Sequence, residues 1–136
     1  MLRRSRVDRF TRELCWLRHR QPTLSGGGLN PFFTHNHDRV IAAHRWVDGV
    51  GRDVIVVAML SEVTHWSYPL PFPAGGHWRE VVNSDAYDSS PAGGGYNPHA
   101  AGNPWGVAAS GPPLAGCPAS AQVVIPANGL LVFARD

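Results

Sequence analysis

The 136-residue sequence contains no lysine, and only 16% of its residues are charged. Such a low charge, with 15 glycines and 12 prolines, suits a loop-rich β domain better than a helical bundle. The 43% of apolar residues allow one modest domain with a real core. No stretch reaches the roughly 18 continuous apolar residues of a membrane-spanning helix. We therefore expect one domain with no membrane partner.

Cysteine is scarce as well, since Cys15 and Cys117 are the only two. Their spacing matches no metal motif, and no apolar stretch follows the N-terminal arginines as it would in a secretion signal. A disulfide between the two remains an alternative. We expect free thiols in a reducing, cytoplasmic setting, and no cofactor.

Positive charge is concentrated in residues 1–20, which hold seven arginines against Asp8 and Glu13, a net charge of +5. Because the whole chain carries +2, the other 116 residues carry −3. A basic arm that binds nucleic acid is one interpretation. A helix with its arginines facing solvent or an acidic neighbour is the other. We favour the helix, and expect no nucleic-acid partner, because apolar residues alternate with the arginines.

Residues 5–21, SRVDRFTRELCWLRHRQ, have the periodicity of an amphipathic α-helix. Apolar residues recur every three or four positions, Ser5 and Asp8 are suited to cap the start, and Pro22 ends the pattern. One face of this helix must be buried against the rest of the chain or against a partner. That face is formed by Val7, Phe10, Leu14, Trp16 and Leu17.

The periodicity changes after SGGGLN (25–30), and short apolar runs separated by turn residues follow. Asp48 to Asp53 and Ala127-Asn128-Gly129 are both typical of hairpin turns. The pattern predicts an all-β domain, an antiparallel β-sandwich preceded by one amphipathic α-helix. The predicted strands are 39–47, 54–60, 66–72, 77–84, 122–126 and 130–134.

Residues 85–121 have no sustained periodicity, apart from one short strand predicted near 106–109. A loop of this length in a small domain is usually functional or partly disordered.

Five segments occur in a familiar order: RVIAAHRW, RDVIVVAML, GGHWREVVNSDAYD, GPPL and IPANGLLVFARD. This set resembles the C-terminal all-β domain of the α-amylase superfamily, most closely that of 1,4-α-glucan branching enzymes. FTRELCWLRHRQPTL (10–24) resembles the last helix of the (β/α)8 catalytic barrel that precedes this domain. The resemblance implies a sandwich of about eight strands, with residues 1–24 as barrel helix, 25–38 as linker and turn, and 39–136 as the sandwich.

The resemblance also implies a function in glycogen biosynthesis. Branching enzymes cleave an α-1,4-glucan and transfer the cut chain to a 6-hydroxyl group through a covalent glycosyl intermediate. Their catalytic carboxylates lie on barrel strands, which have no counterpart here, so we expect no enzyme activity and no catalytic residue in this chain alone. Its partners would be a catalytic barrel, in cis or as a separate chain, and α-glucan. A free-standing carbohydrate-binding module and a basic-arm nucleic-acid binder are alternative functions.

THNHD (34–38) holds two histidines and an aspartate, which raises the question of a metal or catalytic site. A zinc site would need a third ligand that no spacing selects. Asp85 and Asp88, with Glu80 nearby, raise the same question for paired carboxylates. We interpret both stretches as polar turns and expect no metal site, because Asn, Asp and Ser side chains bond readily to nearby backbone in turns.

Aromatic residues are the remaining candidates for a glucan protein, since sugar rings stack on flat aromatic faces. We expect Trp46 and Trp78 in the core because both lie within predicted strands. Five other aromatic residues lie in edge or loop segments, where each either packs against its neighbours or contacts sugar. These carbohydrate-binding candidates are Trp105, Tyr96, Trp66, Tyr68 and Tyr87. If a catalytic barrel packs beside the helix, Val7, Phe10, Leu14, Trp16 and Leu17 would contact it.

Overall fold

The computed structural model describes residues 15, 16, 19, 28–46, 53–85 and 101–135. Every strand pairing is antiparallel, which confirms the predicted all-β class. The eight strands are β1 (Gly28–His35), β2 (Val40–Trp46), β3 (Val54–Met59), β4 (His65–Phe72), β5 (Gly76–Asn83), β6 (Val107–Ala109), β7 (Ala119–Ile125) and β8 (Leu130–Arg135).

The strands form two sheets around a shared core. One sheet has the order β1-β2-β3-β8-β5-β6, and the other consists of β4 and β7. Alternation along β3 points Ile55, Val57 and Met59 into this core, where β4 contributes Leu70 and Phe72. Apolar faces from both sheets therefore meet in one cluster, and the predicted sandwich is confirmed.

Aromatic side chains fill the centre of the core. Phe72 lies 5.5 Å from Trp78 and 5.9 Å from Phe133, measured between ring centroids. The indole nitrogen of Trp78 donates a hydrogen bond to the carbonyl of Ala74 at 3.2 Å. Trp78 is fully buried, as predicted, whereas Trp46 near the end of β2 is only partly buried.

The outer face of the six-stranded sheet carries a second apolar cluster. Val54, Val132 and Ala134 are buried there, together with Val82. At the β1–β2 end of the same face, Ile41 is exposed, so the sheet presents apolar surface on both sides.

Strand β1 corrects the predicted linker, because residues 28–35 of the 25–38 segment are extended and paired with β2. The glycines of SGGGLN (25–30) indicate a linker, although β1 begins at the last of them. Proline is tolerated in β1 because it is an edge strand, and the pairing with β2 shifts register between Asn30 and Phe33.

The short strand predicted near 106–109 is confirmed as β6, and β7 begins at Ala119, earlier than predicted. Cys15, Trp16 and His19 are helical. The other residues of the predicted helix, including Val7, Phe10, Leu14 and Leu17, lie outside the described residues. Within the part of the chain that the structure describes, no helix has the length and hydrophobicity to cross a membrane.

Candidate functional site

The most exposed large apolar side chain of the described residues belongs to a tight turn ahead of β6. The backbone N–H of Gly106 donates to the carbonyl of Asn103 at 2.9 Å, which closes a four-residue turn with the sequence NPWG. Proline in the second position and glycine in the fourth suit such a turn. Trp105 occupies the third position, where its side chain is 90% exposed.

This turn is held to both sheets by Asn103. Its backbone N–H and its Nδ2 donate to Oε2 of Glu80 on β5 at 2.6 and 2.9 Å. Nδ2 also donates to the carbonyl of Val124 on β7, and Oδ1 accepts the N–H of Val124, both at 2.9 Å. The buried Asn103 amide thus takes the place of a neighbouring strand beside β7. We name these contacts the Glu80–Asn103 clamp.

The carboxylate of Glu80 lies largely out of water. Burial raises its pKa, and hydrogen bonds from Asn103 and Asn83 lower the pKa again by a smaller amount. Neutral amide donors therefore compensate only part of the loss of solvation. The Glu80 carboxylate therefore has a structural role, because its Oε2 already accepts two hydrogen bonds from Asn103 in the turn.

Two further polar side chains hold the segment that leads into the turn. Nδ2 of Asn83 donates to the carbonyl of Ala101, and the N–H of Ala101 donates to Oδ2 of Asp85, both at 2.8 Å. A β-carbon on Gly102 would overlap the amide of Asn83, so only glycine allows this close approach. Asp85 and Glu80 thus both bind backbone groups, as expected if the Asp85 stretch is a polar turn. Asp88 lies outside the described residues.

A second exposed tryptophan lies on the other side of β7. Trp66, on the neighbouring strand β4, is 69% exposed and falls where the β4–β7 register shifts between His65 and Tyr68. The adjacent Ser67 hydroxyl donates to Oε1 of Gln122 on β7 at 3.0 Å. Strand β7 is therefore flanked by Trp66 and by the turn that carries Trp105.

The prediction that Tyr68 contacts sugar is wrong, because its side chain belongs to the core and is only 7% exposed. Its hydroxyl donates to Oδ2 of Asp38 at 3.1 Å, and its ring lies 5.2 Å from that of His65. Burial, with the contact to the Asp38 carboxylate, raises the pKa of Tyr68 to about 12. Tyr87 and Tyr96 lie outside the described residues, and Trp16 is 55% exposed.

The THNHD stretch forms the end of β1 and the turn to β2, as predicted. Residues 36–39 are the turn, in which Nδ1 of His35 accepts the N–H of Asp38 at 3.2 Å. Arg39 closes it with a positive φ of 58°. Among the described residues, no group of three histidines, cysteines or carboxylates is placed to hold a metal ion.

An open cleft of about 310 Å³ lies beside this turn. The exposed Leu60 and Ile41 form its apolar part, and the Arg39 side chain contributes a positive charge. Its remaining lining comes from Thr34, His35, Asn36 and Val40.

A histidine–carboxylate pair lies at the opposite end of the β2–β3 hairpin, where Nε2 of His44 is 2.9 Å from Oδ2 of Asp53. The His44 ring also lies 4.9 Å from Trp46. Sequence analysis missed this pair and the Glu80–Asn103 clamp, since both join residues of separate segments. The turn before β6 was predictable from its own sequence, because NPWG has proline and glycine at the positions that favour a tight turn.

Comparison with known proteins places the sandwich in a defined family. A family model described as the alpha amylase, C-terminal all-beta domain matches residues 33–136. A 1,4-alpha-glucan branching enzyme of Burkholderia thailandensis is 30% identical over 149 residues, which cover 90% of this chain and 17% of that enzyme.

Two further relatives carry the same name. The branching enzyme of Mycobacterium sp. (strain KMS) is 30% identical over 148 residues, covering 90% of this chain and 19% of that enzyme. The one from Rhodococcus jostii is 39% identical over 84 residues, covering 60% of this chain and 10% of that enzyme. The chain thus spans less than a fifth of the length of each of these relatives.

Proposed function

The chain belongs to the family of α-amylase C-terminal all-β domains, and from this premise we propose that it is the accessory domain of a 1,4-α-glucan branching enzyme. The similarity to branching enzymes across 90% of the chain carries this proposal. The domain would stabilise a (β/α)8 catalytic barrel, in cis or as a separate chain, and would contribute no reacting group.

The state of the carboxylates supports a non-catalytic role. Glycosyl transfer with retention needs two carboxyl groups that face one substrate, about 5 Å apart. The sequence singled out Asp85 and Asp88 as the pair, with Glu80 nearby. Of these, Asp85 and Glu80 lie within the described residues, and both bind the backbone of residues 101–103. Neither is open to a sugar in the way that a nucleophile or a general acid must be.

Two apolar surfaces would contact the barrel. The first is the predicted helical stripe of Val7, Phe10, Leu14, Trp16 and Leu17. The second is the outer face of the six-stranded sheet, where Leu29 and Ile41 remain exposed. Burial of one such side chain contributes roughly 1.5–3 kcal/mol, so even a few of them would stabilise the assembly appreciably.

A chimera tests this proposal. The segment of the Burkholderia thailandensis branching enzyme that matches this chain would be replaced by residues 1–136 and compared with the same enzyme lacking the segment. We expect the chimera to regain thermal stability and branching activity, followed by the iodine colour of amylose. A folded chimera that is no more stable or active than the truncated enzyme would contradict the proposal.

The isolated chain provides the second arm of this test. We expect no change in iodine colour and no new reducing ends when it is incubated with amylose. Turnover that survives rigorous purification would show that the chain holds catalytic groups of its own.

A free-standing carbohydrate-binding module is the second candidate function, and the exposure of Trp66 and Trp105 favours it. The chimera separates the two, since a free-standing module would not restore a truncated enzyme. We also propose a cytoplasmic location, which the two free thiols of Cys15 and Cys117 support.

A further inference from the structure

We propose that the cleft beside the β1–β2 turn binds a small amphipathic carboxylate, a molecule that joins one carboxylate group to an apolar chain. Arg39 holds the carboxylate, and Leu60 and Ile41 contact the apolar chain. The cleft has a volume of about 310 Å³, which is near the lower limit of ligand pockets in proteins. Such a site is separate from the proposed function and does not depend on it.

Backbone pairing brings the charged and the apolar side chains of the cleft together. Arg39 ends the β1–β2 turn, and its carbonyl accepts the N–H of Leu60, the residue after β3, at 3.0 Å. Ile41 pairs with Thr34 of β1 and with Ala58 of β3. The side chains of Arg39, Ile41 and Leu60 therefore line one cleft, where the first three strands of the sheet meet the turn.

Arg39 carries the positive charge of the cleft, and within the described part of the chain its guanidinium makes no hydrogen bond or ion pair. The neighbouring carboxylate of Asp38 is engaged elsewhere. Its Oδ2 accepts the hydroxyl of Tyr68 at 3.1 Å and lies 3.1 Å from Nδ1 of His35. A guanidinium presents a planar fork of N–H donors that matches the two oxygens of a carboxylate. An organic carboxylate would therefore supply the acceptor that Arg39 lacks.

The backbone at Arg39 gives no reason for an arginine at this position. Its φ of 58° lies in the left-handed region, where any side chain adds strain and glycine is favoured. The turn would thus form more easily with glycine, and its own formation does not explain the arginine. A strained residue whose charged group points to no described partner fits a role in binding.

The apolar wall of the cleft is also open. Leu60 is 64% exposed and Ile41 is 41% exposed. A hydrocarbon group that lies against them would remove apolar surface from water, which favours binding. The Asp38 carboxylate, next to Arg39 in the turn, reduces the local positive charge and therefore favours a monoanion over a dianion. The ligand class is accordingly a monocarboxylate and not a phosphate ester.

The first experiment is an NMR titration of the methyl-labelled 136-residue chain with sodium hexanoate at constant ionic strength. The chain is used alone, because Ile41 also lies on the sheet face proposed to contact a barrel. We expect the methyl signals of Leu60 and Ile41 to shift and to saturate in the millimolar range. Acetate, which lacks the apolar chain, and 1-hexanol, which lacks the charge, should each bind at least about tenfold more weakly. Hexyl phosphate, a dianion at mildly alkaline pH, should also bind more weakly than hexanoate.

Arg39→Gly separates binding from folding. It should weaken hexanoate binding at least about tenfold, while resistance to urea is unchanged or higher because the strained backbone is relieved. Asn128→Gly is the matched control, because Asn128 has a similar φ of 49° but does not line the cleft. It should bind hexanoate like the unmodified chain. Arg39→Lys should keep part of the affinity, since lysine retains the charge but not the planar fork.

Leu60→Ala tests the apolar wall. It should weaken hexanoate binding several-fold and leave the weak binding of acetate unchanged, because acetate has no chain to contact the wall. Val63→Ala is the matched control, since Val63 is 62% exposed in the same connection between β3 and β4 but does not line the cleft. Its hexanoate affinity should equal that of the unmodified chain.

Unchanged hexanoate affinity in Arg39→Gly, or equal affinities of the unmodified chain for hexanoate and acetate, would overturn the proposed site. Methyl shifts that spread over the chain without saturation would do the same, because they indicate non-specific contact. Tighter binding of hexyl phosphate than of hexanoate would overturn the choice of a monocarboxylate. All of these results leave the accessory-domain function to be judged by the chimera, which does not involve a carboxylate ligand.

Discussion

Two turns of the sandwich each combine a carboxylate that accepts hydrogen bonds with an aromatic residue, with opposite results for the aromatic ring. At the β1–β2 turn, Asp38 accepts the hydroxyl of Tyr68 and the aromatic ring is buried. At the turn before β6, Glu80 binds Asn103 and the aromatic ring of Trp105 stands in solvent. The first carboxylate binds the hydroxyl of a buried ring, and the second fixes the base of a turn whose tip is exposed.

The difference shows that exposure of an aromatic residue follows from how its segment is anchored. Tyr68 lies on the same strand face as Leu70 and Phe72, so its side chain is buried in the sandwich core. Trp105 belongs to a turn that is anchored to the sandwich by the buried Asn103, two residues earlier. Each turn can be altered separately, and the following changes run from the largest expected effect to the smallest.

Gly106→Ala should have the largest effect on stability. Gly106 has a φ of +75°, and a β-carbon there would lie 2.6 Å from the carbonyl oxygen of Trp78. We expect a loss of about 3 kcal/mol, from backbone strain and this contact together. Gly116→Ala is the control, because Gly116 has a similar φ of +81° but open space around it. Equal losses in urea unfolding would mean that the contact with Trp78 is unimportant.

Glu80→Ala should lower the free energy of unfolding by about 2 kcal/mol. The change leaves the N–H and one Nδ2 proton of the buried Asn103 without an acceptor, and unsatisfied buried donors are costly. The exposed Glu62→Ala should leave urea unfolding unchanged. If both substitutions behave alike, the clamp does not hold the turn.

Removing the contact between Asp38 and Tyr68 should have a smaller effect, since a single hydrogen bond is involved. We expect the coupling energy in a double-mutant cycle of Asp38→Ala and Tyr68→Phe to be about 1 kcal/mol. Chemical denaturation of the four proteins gives this value directly. Strictly additive losses would show that the two residues act independently.

Alkaline pH should weaken the same turn. The pKa of Tyr68 is raised from 10.0 to about 12, so the folded chain keeps a proton that the unfolded chain loses in this range. The stabilisation is therefore complete below pH 10 and is lost as the pH rises towards 12. Absorbance titration should show one of the three tyrosines ionising late, and Tyr68→Phe should abolish that late step. A titration in which all three ionise together would contradict the buried contact.

Arg39→Gly should produce the smallest change, a gain of about 0.5 kcal/mol. Glycine relieves the left-handed backbone of Arg39, and its greater freedom in the unfolded chain offsets part of that gain. Asn128→Gly is the comparison, because Asn128 also has a positive φ but asparagine tolerates it better. If urea unfolding shows a larger gain in the free energy of unfolding for Asn128→Gly than for Arg39→Gly, glycine does not release backbone strain at position 39.

The fold followed largely from local patterns, and the errors have physical causes. THNHD and Ala127-Asn128-Gly129 were predictable as turns because their own residues make the contacts that define them. Strand β1 was missed because the glycines of SGGGLN (25–30) suggest a break ahead of it. Tyr68 was misjudged because Pro69 and Pro71 indicate an edge strand, although its spacing of two from Leu70 already places it on the core face.

The candidate site was only half predictable. Trp66 and Trp105 were identified from their position in edge and loop segments. The clamp was not, because Glu80 and Asn103 are 23 positions apart and meet only when β5, β7 and the 101–106 segment are assembled. The sequence therefore predicts two tryptophans that the structure shows to be exposed, but not the residues that hold the turn of one of them in place.

The most direct test of the account follows the five indole N–H signals of ¹⁵N-labelled chain by NMR during titration with maltoheptaose. Each signal is assigned from a single tryptophan substitution. The account predicts that the signals of Trp66 and Trp105 shift together and saturate at one ligand concentration, while that of the buried Trp78 stays in place. Shifts confined to other tryptophans, or no shift at saturating glycogen, would contradict the proposal that Trp66 and Trp105 contact glucan.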